Sequence, residues 1–148
     1  MLETKMRLVL TSWPFWAALS AVFAALTAIF GKIGVENVNS DFATLIRTVI
    51  ILVVLSAFVA ATHAWQPLDA IPHKTWLFLA LSGLATGASW VCYYRALKAG
   101  PASGVAPIDK MSVVLVALFA FLFLGERPLP HNWIGIGLIT LGAILVAA

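Results

Sequence analysis

The chain has 148 residues, 62% of them hydrophobic and 10% charged, with a formal net charge of +3 and a mean hydropathy of +1.02. A soluble domain carries about 25% charged residues, so a water-soluble globule is excluded. The positive residues sit at the edges of apolar runs and form no basic face or motif, which excludes a nucleic-acid binder. The one cysteine, Cys92, excludes an internal disulfide and a cysteine-rich metal site.

Five runs are free of Asp, Glu, Lys and Arg: Leu8 to Gly31, Thr48 to Leu68, Thr75 to Tyr94, Met111 to Gly125 and Pro128 to Ala148. A helix that spans a bilayer needs about 20 such residues. Four runs meet that alone, and the fourth in chain order meets it only when extended backwards through Lys110 and Asp109. The composition therefore predicts an all-α integral membrane protein: one membrane domain of five transmembrane helices, about residues 13–32, 42–64, 75–98, 101–124 and 133–148. Met1 to Arg7 followed by an apolar run has the outline of a signal peptide. The run is longer than an h-region of about 7–15 residues, so a retained first helix is expected.

In the first helix Ala17, Ala21, Ala24, Ala28 and Gly31 recur at helical steps and form one face that a neighbouring helix can approach closely. Trp13 and Trp16 suit the membrane interface. A polar turn, GKIGVENVNSD, leads to the second helix. There Thr44, Arg47 and Thr48 share a face. Arg47 has two readings, an arginine that snorkels to the interface and one that faces the protein interior. The following loop, HAWQPLDAIPHK, carries His63 and His73, too far apart for a metal site.

The third helix carries Ala80, Gly83, Gly87, Trp90 and Tyr94 on one stripe, with a GxxxG at Gly83–Gly87. Trp90, Tyr93 and Tyr94 read either as an interfacial belt or as the wall of a solute cavity, because each ring offers an apolar body and one polar handle. Two starts fit the fourth helix. One is Pro101, with Pro107 as an internal kink; the other is Pro107 itself, as a first helical position. Both leave Asp109 and Lys110 in or just under the interface, beside water inside the protein. In the fifth helix Gly135, Ile139 and Gly142 share a face suited to a helix–helix contact, within the chain or between chains.

Five spans put the two ends of the chain on opposite sides. Lys5, Arg7, Lys74 and Arg127 fall on the side of the N-terminus, side A. Lys32, Arg47, Arg95, Lys98 and Lys110 fall on side B. This balance gives the positive-inside rule almost nothing to act on. Insertion in both orientations is one consequence, and two antiparallel copies would form ten spans with the pseudo-two-fold of an inverted-repeat transporter. Lys32, Glu36, Asp41, Arg47, Arg95, Lys98, Asp109 and Lys110 all lie toward side B while the side A half of the spans is nearly uncharged, which predicts a polar vestibule opening to one face.

Three stretches carry a resemblance: AALTAIFGKIGVENVNSDFATLIRT, YYRALKAGPASGVAPIDKMSVVLVALFAFLFLGE and GERPLPHNWIGIGLITLGAILV. Over about residues 13 to 147 the chain is similar to a single repeat of the EamA family, within the drug/metabolite transporter superfamily. Most members resemble two fused repeats, so the resemblance implies that this chain is one half of a ten-helix transporter and that the other half comes from a second copy or another protein. It implies a multi-pass protein of the bacterial inner membrane. The related small multidrug resistance transporters work as antiparallel dimers with glycines seven apart in the last helix, a spacing that Gly135 and Gly142 share. Their first-helix glutamate has no counterpart here, so their proton coupling does not carry over.

The expected function is a secondary transporter, an exporter of a small metabolite, working as an antiparallel homodimer in the lipid bilayer. Its solute would meet Arg47, Trp90, Tyr93, Tyr94, Arg95, Pro107, Asp109 and Lys110. The positive excess favours an anionic or zwitterionic solute. Asp109 would neutralise a cation by pairing with Arg47 or Arg95, or exchange protons. A non-transporting accessory subunit, or half of a hetero-oligomeric carrier, is the alternative. No nucleophile–base pair, metal-ligand spacing or phosphate loop supports an enzyme, and no cofactor is implied.

Overall fold

The computed structural model describes residues 12–147. Lys5 and Arg7, counted above on side A, lie outside the described residues. The described chain is all helical: α1 (Trp13–Gly34), α2 (Ser40–Ala61), α3 (His73–Ala99), α4 (Ala102–Asp109), α5 (Ser112–Phe119) and α6 (Pro130–Ala147). A π-helical turn, Ala120–Leu124, continues α5. Together α4, α5 and that turn make one apolar span, Ala102–Leu124. Four spans are thus long and apolar enough to cross a membrane, and α6 adds a shorter apolar helix.

Each boundary has a local cause. Pro14 sits in the first turn of α1, where its missing N–H is not needed. The Asn39 side chain accepts from the backbone N–H groups of Asp41 at 2.9 Å and Phe42 at 3.2 Å and so caps α2. Pro72 and Pro101 flank the starts of α3 and α4 in extended conformation. The fourth span therefore starts just after Pro101 and holds Pro107 inside α4. Pro107 cannot donate to the Ser103 carbonyl, and the helix tightens three residues later at Lys110 and Met111 before restarting at Ser112. Gly125 ends the span with φ +68°, a left-handed conformation that glycine adopts without strain.

The third helix is central. α1, α2 and α4 all pack against α3, while α6 packs on α4 and less on α5. Burial is sparse and lies mostly at one end. Val35, Tyr94 and Leu97 form the core, with Ala43, Tyr93, Ala102 and Val105 against it. Ala28 and Thr44 are also buried. All of these sit toward side B. The opposite halves of α1, α2 and α3 expose their apolar side chains, as a protein surrounded by lipid and partner helices does.

Gly31 explains why the close approach is there. A Cβ on Gly31 would stand 3.1 Å from the Tyr94 hydroxyl and 3.3 Å from Leu97 Cδ1. Of the small-residue face in α1, the end at Ala28 and Gly31 is closed, whereas Ala17 and Ala21 stay exposed. The GxxxG of α3 is open too, with nothing within 4 Å of where a Cβ would lie on Gly83 or Gly87.

The charged side chains of side B brace this packed end. Lys98 Nζ donates to the carbonyls of Val35, Glu36 and Val38 at 3.0, 3.1 and 2.7 Å. Lys32 Nζ donates to the carbonyls of Leu97 and Gly100 at 2.7 and 2.9 Å, which satisfies the carbonyl end of α3. Arg95 makes a two-pronged pair with Asp41 at 2.8 and 2.7 Å. Four of the charged residues behind the expected polar vestibule at side B, Lys32, Asp41, Arg95 and Lys98, instead tie α1, α2 and α3 together. Lys98→Met would leave three loop carbonyls without their donor. It is expected to cost about 1–3 kcal/mol, read as a lower thermal midpoint of the purified protein in detergent.

Candidate functional site

A cavity of about 410 Å³ lies among α1, α2, α3 and the break between α4 and α5. Ser20, Phe23, Ala24, Thr27, Arg47, Ser89, Trp90, Tyr93, Asp109 and Lys110 line it. Its depth follows from the helix rise. Arg47 is about 10 Å from the start of α2 and Asp109 about 10 Å from the start of α4, at ~1.5 Å per residue. At Arg47 and Asp109 the cavity is therefore about a third of the way into the spans from side B. Ionisable groups at that depth are costly without partners, so the partner of each one matters.

Arg47 turns inward. Its guanidinium carbon lies 4.1 Å from the centre of the Trp90 ring and 5.3 Å from that of Tyr94. The negative ring faces attract the cation. Thr44, one turn earlier, is buried and turns its hydroxyl back to the Ser40 carbonyl at 2.8 Å, and Thr48 does the same to Thr44. Neither threonine competes for the guanidinium. Arg47 Nη1 is buried with no hydrogen-bond partner. Of the two readings of Arg47, the structure takes the inward one.

Asp109 and Lys110 sit where α4 ends. The pair is loose, 3.5 Å between Lys110 Nζ and Asp109 Oδ2, with 61% of the Lys110 side chain and 38% of the Asp109 side chain exposed. The ion pair of Asp109 with Arg47 or Arg95 is not what forms: Arg95 is taken by Asp41, and Arg47 by two rings. The helix break is the reason for the pair's position. Lys110 follows the carbonyl end of α4, where a cation is favoured, and Asp109 precedes the N–H end of α5, where an anion is favoured.

Of the residues singled out in the sequence, the cavity brings together Arg47, Trp90, Tyr93, Asp109 and Lys110. Tyr94 is buried against Gly31 and supports Arg47 from behind, and its ring meets Tyr93 edge-on. Arg95 points out to Asp41, away from the cavity. Pro107 is half-buried and does not line it; it shapes the break that does. Gly135 and Gly142 have nothing within 4 Å of a Cβ position, and Ile139 is half exposed, so that face of α6 is open. Ala143 is buried instead.

Sequence reading missed Ser20, Thr27 and Ser89. Ser20 and Thr27 are seven apart, two helical turns, in an otherwise apolar span, and with Phe23 and Ala24 they form one face. That spacing was the available signal. Among the described residues no group of three or more His, Cys, Asp or Glu could hold a metal ion.

The cavity therefore holds two cations and one carboxylate, hydroxyls from four residues, and an aromatic wall. Such a lining offers charge, hydrogen-bonding groups and ring faces to a small molecule. A model of the EamA-like transporter family matches residues 11–148. The chain belongs to the EamA-like transporter family. It is 64% identical over 136 residues to an uncharacterized transporter in the cobO 3' region of Sinorhizobium sp, covering 92% of this chain and 96% of that one. It is 31% identical over 88 residues to a probable 4-amino-4-deoxy-L-arabinose-phosphoundecaprenol flippase subunit ArnE of Yersinia pestis (strain Pestoides F), covering 59% and 77%. The corresponding ArnE of Hamiltonella defensa is 27% identical over 86 residues, covering 58% and 76%. No solved structure matches. The EamA-family protein is thus a multi-pass membrane transporter by family, not an enzyme, in keeping with its apolar spans.

Proposed function

We propose that this EamA-family chain is a secondary transporter that exports a small metabolite by alternating access as an antiparallel homodimer. The observation that carries this is the cavity within the spans, in which Arg47 lies on Trp90 and lines the same space as Asp109 and Lys110, with hydroxyl-bearing walls. Arg47 and Lys110 against Asp109 leave one positive charge in excess, so the solute is an anion or carries an anionic group. Trp90 and Tyr93 line the wall. Tyr94 fixes Arg47, Arg95 braces the side B end, and Pro107 fixes the helix break.

Two observations support a second copy as partner. The Gly135–Ile139–Gly142 face is open in one protomer, and the Sinorhizobium relative is a single-repeat chain of nearly the same length. Half of a hetero-oligomeric carrier is the second reading. It is favoured by the ArnE relatives, whose name makes them subunits of a flippase.

The solute is to be found by comparing the medium of cells with and without the expressed protein. Purified protein alone in liposomes should then move it. Lys110→Met and Asp109→Asn are each expected to cut that flux at least tenfold. Unchanged flux in both would remove these residues from the site, and no flux from the purified chain alone would favour the hetero-oligomer.

A further inference from the structure

Arg47 has a second cavity behind it. α1 and α2 both pack on α3 but hardly on each other, and the gap between them is a groove of about 490 Å³. Its lining is apolar: Phe30, Gly31, Gly34, Val38, Ala43, Ile46 and Ile50 lead to Tyr94, Thr27 and Arg47. Thr27 and Arg47 also line the polar cavity. The guanidinium over Trp90 and Tyr94 therefore lies where a charged chamber and a hydrocarbon-like groove meet. Along α2 the groove runs from Ala43 to Ile50, about 10 Å at ~1.5 Å per residue.

An apolar groove with a cation in its inner wall matches one kind of molecule. The geometry points to an amphiphilic anion as the solute: a carboxylate or phosphate head held by Arg47 and Lys110 in the polar cavity, with one hydrocarbon arm lying in the α1–α2 groove. This rests on the reading of the polar cavity as the solute site. Three observations carry it beyond that reading. The two spaces share Arg47 and Thr27 in their walls. The groove presents almost no polar side chain apart from those at its inner end. Arg47 Nη1 is buried without a hydrogen-bond partner, so among the described residues the cation at the junction has ring faces and no carboxylate paired with it. A resident bilayer lipid does not fit equally well, because its head group stays at the interface, whereas Arg47 is about 10 Å deeper along α2. The groove also gives the solute a lateral way in from the bilayer.

The test uses the full chain in nanodiscs of neutral phosphatidylcholine, titrated calorimetrically with ethyl phosphate, octyl phosphate and octyl glucoside. Octyl phosphate is expected to bind at least tenfold more tightly than ethyl phosphate, and octyl glucoside, which lacks the anion, at least tenfold more weakly than octyl phosphate. Ile46→Trp and, separately, Ile50→Trp fill the groove and are expected to bring octyl phosphate down to the affinity of ethyl phosphate. Adding phosphatidylglycerol to the nanodiscs should leave octyl phosphate binding unchanged. A chain-length preference that survives both tryptophan variants reflects partition into the bilayer and overturns the inference, as does competition by phosphatidylglycerol, which assigns the groove to a lipid. Arg47→Gln separates the two levels. If it weakens ethyl phosphate tenfold while chain length has no effect, the anion site stands and the groove has no role. If it leaves ethyl phosphate unchanged, the polar cavity is not an anion site at all.

Discussion

Arg47→Gln is expected to lower solute flux ten- to a hundredfold while leaving the protein folded. Arg47 is the one described cation of the cavity that is fixed in place, because Trp90 and Tyr94 hold the plane of its guanidinium at 4.1 and 5.3 Å. A hydrogen bond to a charged group contributes about 1.5–3 kcal/mol, and each 1.4 kcal/mol is a factor of ten, which sets the range. Loss of the ring contacts adds about 0.5–2 kcal/mol to destabilisation at most. The chain survives that because the packed core at Val35, Tyr94 and Leu97 does not include Arg47. Arg47→Lys keeps the charge but not the flat, weakly hydrated face that stacks on a ring, so it is expected to recover only part of the flux. The check is flux per folded molecule in liposomes, with folding scored by a symmetric size-exclusion peak. Equal flux from wild type and Arg47→Gln would remove the cavity's main anchor.

Gly31→Val is expected to destabilise the protein by about 1–3 kcal/mol, the cost of forcing atoms into a packed contact. The neighbours cannot easily yield. Leu97 is fully buried and Tyr94 is 5% exposed, and the Tyr94 ring also supports Arg47. Displacing it therefore disturbs the site as well as the fold. Gly31→Ala should fall near zero, because better helix propensity, about 1 kcal/mol, offsets a contact of 3.1 Å. Gly83→Val is the control, since nothing stands within 4 Å of it. Thermal midpoints of the three variants in detergent decide the matter. Equal damage from Gly83→Val would place a neighbour against α3 that a single protomer lacks.

The spans were legible because a bilayer demands long uncharged helices, and the sequence meets that demand with little else. Helix ends were less so: α1 runs on to Gly34 and α3 starts at His73. Polar residues in those turns carry no hydropathy signal. The cavity was legible in part, since Arg47, Trp90, Tyr93, Asp109 and Lys110 are polar or aromatic residues within apolar runs. Arg95, Lys98 and Lys32 look the same in sequence, yet they brace loops. Their acceptors are the carboxylate of Asp41 and backbone carbonyls far along the chain, and a carbonyl acceptor leaves no mark in side-chain pattern. The open GxxxG of α3 makes the same point for packing, because small residues permit a contact without saying whether it lies within one chain.

If this EamA-family protein builds both halves of a carrier from one sequence, the chain inserts into the membrane in both orientations. Among the described residues the flanking cations divide two against three, Lys74 and Arg127 on side A and Lys32, Arg95 and Lys98 on side B, a bias of one charge for the positive-inside rule to act on. The C-terminus is to be fused in turn to a reporter active only in the cytoplasm and to one active only outside it. Strong signals from both fusions are the predicted result, and they make an antiparallel homodimer available to the cell. A signal from one fusion alone would contradict the claim and assign the inverted half to a different protein.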